Sequence, residues 1–341
     1  MRHAIIGAGF GVSVHLPAFA NIKDVDVVGV SARSSNYYPQ IPNDVVYYTD
    51  WRQMLDELQP DSLSVVVPPC SQREIVEEAL QKGIHILCEK PFGVSLDDSK
   101  SLLLVKDACT IGAVGFQFRF EPAINMLRQK IRDNSIGRLN RMNMTWYTAG
   151  RADPNRPWSW QHDKKSGGGV INNFLTHLLD LVLWISNESI VDVVGSSQII
   201  IPERKDHNGK TCVVSAEDSV DVILQLTSDI TVNISINNCQ TSATGMNITA
   251  YGDQGWLQFK HEPPFSVENV SLVLNRSLQE STSIPFNRFK ENKGKKIDSR
   301  VAPTHALASL FVKSVLSSTL DDELPSFDDG VRVHQALTKL C

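Results

Sequence analysis

Two patterns of apolar and polar positions alternate along the first third of the chain. Short apolar runs, rich in valine and isoleucine, recur between residues 3 and 116, and segments with helical spacing of apolar residues separate them. Strands that are apolar on both faces and are separated by helices indicate a parallel sheet covered on both sides. Right-handed crossovers between these strands then predict a doubly wound α/β domain over residues 1–118.

Beyond residue 118 the pattern changes to strands in which apolar and polar side chains alternate. Such segments recur between residues 138 and 260, and turns such as Thr227-Ser228-Asp229 join them at hairpin distances. This alternation is typical of a mostly antiparallel sheet with one apolar face. We therefore predict a second domain of the α+β class over residues 119–341, with a large open sheet and two helices near its end.

Composition and charge exclude several classes of function. A net charge of -5 argues against general affinity for nucleic acid, because phosphate binding needs a basic face. The chain has no apolar run of membrane-spanning length and no charged-then-apolar leader, so we expect a soluble cytoplasmic protein. The six cysteines are scattered without a C-x-x-C pair, which predicts reduced thiols and no metal site.

A glycine-rich turn follows the first predicted strand. Gly7 and Gly9 match the first two positions of G-x-G-x-x-G, whereas the third position falls on Val12 and Gly11 stands one place early. In a Rossmann domain the first glycine makes the tight turn and the second lets the backbone approach a pyrophosphate at a helix N-terminus. Because this turn follows a strand and opens a helix, a dinucleotide site that includes Phe10 is favoured over an ordinary turn.

The end of the second predicted strand bears on the choice of dinucleotide. Sites that prefer NAD place Asp or Glu there, about 20 residues beyond the glycines, to accept from the ribose 2′-hydroxyl. This chain reads Ser31-Ala32-Arg33-Ser34-Ser35, with no carboxylate. A guanidinium with hydroxyl donors suits a 2′-phosphate, so Arg33 predicts NADP, with NAD still possible. The alternative is a surface arginine in a turn.

A lysine stands at the end of the fifth predicted strand, in the segment Cys88-Glu89-Lys90-Pro91. Pro91 cannot donate to a strand ladder, so the sheet ends here. Lys90 is either a solvated loop residue that pairs with Glu89 or a side chain that points into a site at the carboxyl edge of the parallel sheet, where such folds bind ligands.

A strongly apolar helix with one polar stripe is predicted after the glycines of residues 167–169. Asn173 and His177 are spaced i,i+4, and His177 and Asp180 are spaced i,i+3, so the three lie on one face. Polar groups on an apolar helix need partners or a ligand. A lone histidine on such a helix is more often a core residue with its hydrogen bonds satisfied than a catalytic residue. The preceding glycines, which allow close approach of a ligand, favour a ligand-binding site here.

Together these features resemble the Gfo/Idh/MocA family of oxidoreductases over essentially the whole chain. The resemblance rests on the glycine turn, the Glu89-Lys90-Pro91 segment, the sequence GFQFRFEPA at residues 115–123, and the glycines before the helix with His177. It implies a nucleotide in the first domain and a small carbohydrate-like substrate on the sheet of the second. It also implies a homodimer or homotetramer formed through the outer face of that sheet.

The resemblance further implies roles for single residues. Lys90 matches the lysine that contacts the nicotinamide ribose and the substrate, His177 matches the usual acid/base, and Asn173 replaces a common aspartate. Gln72 stands where a histidine often lies beside the cofactor, and Arg119 and Trp158 lie in stretches that edge the substrate pocket. The expected cofactor contacts are Gly7, Gly9, Phe10, Gly11, Arg33, Pro68, Gln72, Glu89 and Lys90. The expected substrate contacts are Arg119, Trp158, Asn173 and His177.

The chemistry that these residues allow agrees with the resemblance. A carbinol that loses a hydride also loses its hydroxyl proton, so the site needs a base near neutrality and a positive charge at the forming alkoxide. His177 suits the first task and Lys90 the second. We expect an NAD(P)-dependent dehydrogenase or reductase of a sugar, cyclitol or sugar derivative. The alternative is a cofactor-sensing regulator without turnover, which Asn173 leaves open.

Overall fold

The computed structural model describes residues 1–33, 38–276, 281–289 and 298–340. The chain forms two compact units, Met1–Phe120 with Gly294–His334 and Glu121–Lys293 with Gln335–Cys341. The helices of the described residues are α1 (Leu16–Ala20), α2 (Trp51–Leu58), α3 (Gln72–Gln81), α4 (Leu96–Val105), α5 (Pro122–Arg132), α6 (Thr176–Ser186), α7 (Val301–Ser317) and α8 (Phe327–Leu337). Within these ranges no helix has the combined length and apolar character needed to cross a bilayer.

The strands divide between two large sheets and one small hairpin. The first sheet contains β1 (Arg2–Ile6), β2 (Asp26–Ser31), β3 (Val46–Tyr48), β4 (Ser62–Val65), β5 (His85–Cys88) and β6 (Gly112–Val114). The second contains β7 (Leu139–Tyr147), β8 (Ile190–Gln198), β11 (Ser219–Leu226), β12 (Thr231–Asn237), β13 (Gly245–Gly252), β14 (Gly255–His261), β15 (Val270–Arg276) and β16 (Thr282–Ser283). The strands β9 (Glu203–Lys205) and β10 (Thr211–Val213) pair with each other.

The first unit is built on a parallel sheet with the strand order β3-β2-β1-β4-β5-β6. Valine, isoleucine and leucine side chains of the central strands are buried, as expected for strands covered on both faces. The order changes direction between β1 and β4, which is the point where doubly wound sheets open a crevice. The predicted Rossmann domain is confirmed.

Helix α7 belongs to this first unit, although the sequence-based division at residue 118 placed it with the second part. Its residues Leu307, Phe311 and Val315 join the core cluster that contains Ile5 of β1. The Phe311 ring meets the ring of Phe19 edge to face, with centroids 6.4 Å apart. The periodicity of the sequence gives α7 an apolar face, but it does not say which sheet that face covers.

The second unit is built on a mixed sheet with the strand order β16-β15-β14-β13-β7-β12-β11-β8. All neighbouring strands run antiparallel except β12 and β7. Burial alternates along β12, where Val232, Ile234 and Ile236 are buried and Asn233 and Ser235 are half-buried. The predicted mostly antiparallel sheet with one apolar face is confirmed.

Helices α5 and α6 supply apolar cover in the second unit. Helix α5 packs against β14 and β15, and it also contacts α6. Arg128 of α5 donates from Nε to the carbonyl oxygen of Trp184 in α6 at 2.9 Å, and its guanidinium lies 4.0 Å from the centroid of that indole. Residues 176–185 of α6 are all buried, which explains why its sequence is apolar almost throughout.

Candidate active site

Most of the expected cofactor contacts lie at one edge of the first sheet. Parallel strands end at the same edge, and the glycine turn follows β1, Arg33 follows β2, Pro68 follows β4 and Lys90 follows β5. The turn is joined to the end of β2, because the amide of Gly7 donates to the carbonyl oxygen of Ser31 at 2.8 Å, two residues before Arg33. This carboxyl edge is where open α/β sheets bind their ligands.

Gly7 and Gly9 meet different requirements of the turn. Gly7 has a φ of +122°, and a Cβ added there would collide with the carbonyl oxygen of Val66. Only glycine therefore fits at position 7. A Cβ added to Gly9 would meet nothing within 4 Å, so the space beside this backbone is open. Open space at the start of a helical segment fits the backbone approach that a pyrophosphate needs.

Gly11 takes the packing role of the third motif glycine, one residue early. An added Cβ would lie 3.0 Å from Cγ2 of Ile5, so the chain passes close to β1 at this point. The chain then makes a π-helical turn over Gly11–His15 before α1 begins. The wider π turn accommodates the one-residue offset, and Val12 lies in the apolar core instead.

Arg33 lies two residues beyond the last residue of β2 and is exposed. The carbonyl oxygen before it, on Ala32, accepts from the hydroxyl of Tyr47 at 3.4 Å, which ties this strand end to β3. Ser34 and Ser35, the predicted hydroxyl donors, lie outside the described residues. Arg33 is therefore an exposed residue at the end of β2, and its contact with a 2′-phosphate stays a prediction.

Gln72 holds the segment that contains Lys90. Its side chain is buried, its Nε2 donates to the carbonyl oxygen of Glu89 at 2.8 Å, and its Oε1 accepts from the amide of Gly93 at 2.8 Å. Gln72 is the first residue of α3, so one helix end fixes both sides of the Lys90-Pro91 dipeptide. Proximity of Gln72 to a cofactor remains a prediction.

Lys90 is half-buried, and burial lowers its pKa to about 8. The charge of Glu89 acts in the opposite direction, and the positive charge of Arg300 lowers the pKa further. A lysine in a solvated loop would titrate two or more units higher, at about 10.4. The loss of solvent around the ammonium favours the second interpretation of Lys90, a side chain directed into a site.

Arg300 is a residue of this edge that sequence reasoning missed. Its guanidinium lies 4.7 Å from the centroid of the Phe10 ring in the glycine turn. Asp298 holds it with two hydrogen bonds, from Nε at 2.8 Å and from NH2 at 2.6 Å. Arg300 directly precedes α7, and the packing of that helix in the first unit places Arg300 beside Phe10. No local sequence signal predicts a contact between residues so far apart in the chain.

Arg119 and Trp158 both have polar contacts inside their own units. Arg119 is buried and forms an ion pair with Asp329 of α8 at 3.1 Å. The indole of Trp158 donates from Nε1 to the carbonyl oxygen of Val213 at 3.2 Å, which fixes it to the β9–β10 hairpin. These contacts give each residue a structural role, and their place at a substrate pocket stays a prediction.

The glycines before α6 have a use that differs from the expected one. A Cβ on Gly168 would lie 2.5 Å from the carbonyl oxygen of Gln161, and a Cβ on Gly169 would collide with Oε1 of Glu217. Gly169 also has a φ of +94°. These glycines thus permit close approach of the chain to itself, rather than supplying evidence for close approach of a ligand.

Glu217 is a second residue that sequence reasoning missed. Its Oε1 accepts from the amide of Ile171 at 2.9 Å, and its carbonyl oxygen accepts from the amide of Val170 at 3.0 Å. A carboxylate at the start of a helix satisfies open amides and complements the helix dipole. Burial is the main reason why the pKa of Glu217 is raised. It fixes the start of the helix that carries the polar stripe.

The polar stripe lies on this helix, which opens with a π-helical turn over Ile171–Leu175 and continues as α6. His177 and Asp180 are buried, and Asn173 is half-buried. The ring of Trp146 on β7 lies 6.3 Å from the His177 ring, centroid to centroid. The stripe therefore lies beside the apolar face of the sheet. A π turn next to a candidate site is a common arrangement in enzymes.

Comparison with known proteins places both units in one family. Residues 1–108 match the oxidoreductase family with an NAD-binding Rossmann fold, and residues 124–258 match the GFO/IDH/MocA C-terminal domain. The two matches lie in different units of the structure, and together they span both the glycine turn and the helix with His177.

Individual relatives agree with the family matches. Levoglucosan dehydrogenase of Pseudarthrobacter phenanthrenivorans is 32% identical over 164 residues, which are 47% of this chain and 42% of that protein. Glucose-6-phosphate 3-dehydrogenase of Bacillus subtilis is 23% identical over 352 residues, covering 98% of this chain and 93% of that protein. A structure of levoglucosan dehydrogenase in complex with NADH and levoglucosan shares the fold, with a TM-score of 0.85 and 19% identity over 99% of this chain and 96% of that chain. The chain therefore belongs to the Gfo/Idh/MocA family of NAD-binding oxidoreductases.

Proposed function

We propose that the protein is an NADP-dependent dehydrogenase or reductase that moves a hydride between the nicotinamide and a secondary alcohol or ketone of a sugar, cyclitol or sugar derivative. The observation that carries this proposal is the position of Lys90, which lies half-buried after β5 at the carboxyl edge of the NAD-binding unit. Its lowered pKa of about 8 supports the proposal. The names of two relatives, a levoglucosan dehydrogenase and a glucose-6-phosphate 3-dehydrogenase, support a carbohydrate as substrate.

The first unit offers the residues that would hold the dinucleotide. The turn from Gly7 to Gly11, with open space beside Gly9, suits the pyrophosphate. Arg33 suits the 2′-phosphate, since a guanidinium forms strong charged hydrogen bonds to phosphate oxygens. Pro68 lies on the loop after β4 at the same edge, and Gln72 acts by holding the Glu89-Lys90 segment. When bound, the oxidised nicotinamide supplies the acceptor for the hydride.

Lys90 and His177 divide the work on the substrate hydroxyl. As the carbon loses its hydride, His177 takes the hydroxyl proton at a ring nitrogen, and the carbonyl double bond forms. The Lys90 ammonium stabilises the negative charge that develops at the same oxygen. Asn173 orients the hydroxyl by hydrogen bonding, because an amide cannot raise the basicity of His177 by charge. Arg119 and Trp158 are proposed to line the substrate side.

We also propose that the protein forms a homodimer or homotetramer through the outer face of the second sheet. Val194 of β8 and Ile223 of β11 are neighbours in the register, and 64% and 54% of their surfaces are exposed. Polar side chains of the adjoining strands, among them Asn143, Asn233 and Ser235, line a groove on this face. Exposed apolar residues beside a polar groove are typical of an interface.

A panel of sugars and cyclitols, assayed with NADP⁺ and NAD⁺ at the nicotinamide absorbance, tests the function. Mass spectrometry of small molecules that co-purify with the protein would guide the choice of substrates. Turnover that is lost in Lys90→Ala and kept in Lys100→Ala, a substitution of an exposed lysine in α4, would support the proposal. Tight cofactor binding with no turnover of any carbohydrate would instead favour the cofactor-sensing alternative.

A further inference from the structure

A chain of hydrogen bonds between buried side chains connects the start of β4 with the segment that carries Lys90. His3 Nδ1 lies 2.8 Å from the hydroxyl of Ser62, and His3 Nε2 lies 3.0 Å from that of Ser64. The same Ser64 hydroxyl lies 3.0 Å from Nδ1 of His15. Finally, Nε2 of His15 lies 3.0 Å from Oε1 of Glu89.

The residues of this hydrogen-bonded network are almost completely buried. His3, His15, Ser62 and Ser64 are fully buried, and 8% of Glu89 is exposed. Burial of polar side chains opposes folding, and well-packed apolar residues at such positions are often at least as stable. Five such residues in one connected line therefore indicate a role other than filling the core.

When Glu89 is a carboxylate and both imidazoles are neutral, the hydrogen bonds of this network point in one direction. A carboxylate only accepts, so His15 donates from Nε2 and its Nδ1 accepts the proton of the Ser64 hydroxyl. The Ser64 oxygen then accepts from Nε2 of His3, and Nδ1 of His3 accepts from Ser62. Burial is the main reason why the pKa of His3 lies well below its ordinary value, which agrees with a neutral His3 ring.

The network of hydrogen bonds ends at Glu89, beside the proposed catalytic lysine. Glu89 directly precedes Lys90, and its negative charge opposes the effects of burial and of Arg300 on that ammonium. Gly115 confines the carboxylate, because a Cβ there would lie 2.6 Å from Oε1 of Glu89. The side chain of Glu89 is thus fixed between Gly115 and His15, and its position depends on the donor that His15 supplies.

We propose that His3, Ser64 and His15 are positioning residues that hold the Glu89 carboxylate in place, and that they set the charge of Lys90 through it. This inference rests on the role proposed for Lys90 in hydride transfer. None of the three residues is proposed to contact Lys90 itself. His15 acts on Lys90 through the carboxylate of Glu89. Without the His15 donor the Glu89 carboxylate loses its fixed position, and its negative charge acts less strongly on the Lys90 ammonium.

The charge of Lys90 can be measured without substrate or cofactor. Acetic anhydride reacts with the neutral amine, so its rate of reaction at Lys90, followed by peptide mass spectrometry across a pH series, reports the titration of this lysine. The exposed Lys100 in the same sample is the internal reference. Loss of the Glu89 charge should move the Lys90 midpoint down by about one pH unit and speed its labelling at pH 7 about fivefold.

Two substitutions of His15 separate the hydrogen bond from the packing. In His15→Gln the amide nitrogen lies near the position of Nε2 and can still donate to Glu89, whereas in His15→Asn the side chain is too short to do so. We expect a native Lys90 midpoint in His15→Gln and a lowered midpoint in His15→Asn. Equal shifts in the two variants would show that packing alone is responsible, and would overturn the proposal.

Glu89→Gln provides the second test, because it keeps the shape and an acceptor for His15 while it removes the charge. It carries the test by itself if His15→Asn does not fold, as judged by circular dichroism. An unchanged Lys90 midpoint in folded Glu89→Gln would overturn the inference. Because labelling needs no turnover, a lowered midpoint together with inactivity on every carbohydrate would contradict the proposed function and leave this inference standing.

Discussion

The side chain of Gln72 donates to the carbonyl oxygen of Glu89 at 2.8 Å, so that the first residue of α3 fixes the backbone directly before Lys90. In Gln72→Ala this buried carbonyl and the amide of Gly93 both lose their hydrogen bond to the Gln72 side chain. We expect a loss of about 1–3 kcal/mol in the free energy of unfolding, measured by urea denaturation. Gln53→Ala is the control, since Gln53 is exposed and bonds only to Glu57 among the described hydrogen bonds of its side chain. Equal stability of both variants would contradict the holding role of Gln72.

Arg33 should determine the preference for NADP. If its guanidinium binds the 2′-phosphate, calorimetry should show tighter binding of NADPH than of NADH, and Arg33→Ala should lose about 1.5–3 kcal/mol of that difference. Binding of NADH should change little. Lys23→Ala removes another exposed positive charge from the same unit and should leave the preference intact. Equal affinity for both dinucleotides in the native protein would refute the prediction.

Lys90 and His177 should act on one transition state. Lys90→Ala should reduce kcat by about 10²–10³, as expected for removal of one electrostatic group, with a modest effect on cofactor affinity. His177→Ala should reduce it by about 10²–10⁴, as expected for a general base. The effects should not add in the double variant, because proton removal and charge stabilisation belong to the same step. A double-mutant cycle on an identified substrate measures this, and near-native turnover of Lys90→Ala would remove Lys90 from the mechanism.

The activity should depend on pH through Lys90. Its pKa is lowered to about 8, so the ammonium is present below this pH and is lost as the pH rises through it. We expect kcat/KM for alcohol oxidation to lose the Lys90 contribution above about pH 8. In Lys90→Arg the positive charge persists throughout, because guanidinium groups stay protonated, so any remaining activity should lack this decline. A decline at the same pH in native protein and Lys90→Arg would assign it to another group.

The outer face of the second sheet should carry the subunit contact. Light scattering at micromolar concentration should give two or four times the chain mass of 37.9 kDa. The double variant Val194→Asp with Ile223→Asp should shift the protein towards the monomer, because carboxylates would be buried without partners. Leu104→Asp is the control, since 84% of Leu104 is exposed on α4 in the first unit. A native mass of one chain would exclude the proposed assembly.

The sequence was sufficient for those features that repeat along the chain. The spacing of apolar residues predicts both sheets, and Gly7 predicts the tight turn. In the structure the backbone conformation of Gly7 excludes any side chain. The exact use of Gly11 was not predictable. Gly11 packs against Ile5 at the start of a π-helical turn, and no local pattern in the sequence marks such a turn.

Contacts between distant residues account for what the sequence did not reveal. Gly169 was interpreted as space for a ligand, but that space contains the carboxylate of Glu217, which lies on another segment. Arg300 reaches the ring of Phe10 only after α7 has packed on the first sheet. Likewise His3 and His15 were unremarkable in the sequence, because nothing local shows that one serine hydroxyl lies between their rings.

The return of α7 to the first unit affects the order in which the protein can fold during synthesis. Domains usually fold as they emerge from the ribosome, beginning at the N-terminus. Here the core around Ile5 lacks Leu307, Phe311 and Val315 until residues 301–317 have been translated. A nascent chain that ends at residue 120 therefore exposes apolar surface that α7 later covers. The nucleotide-binding unit starts first and is completed only after nearly all of the second unit has been made.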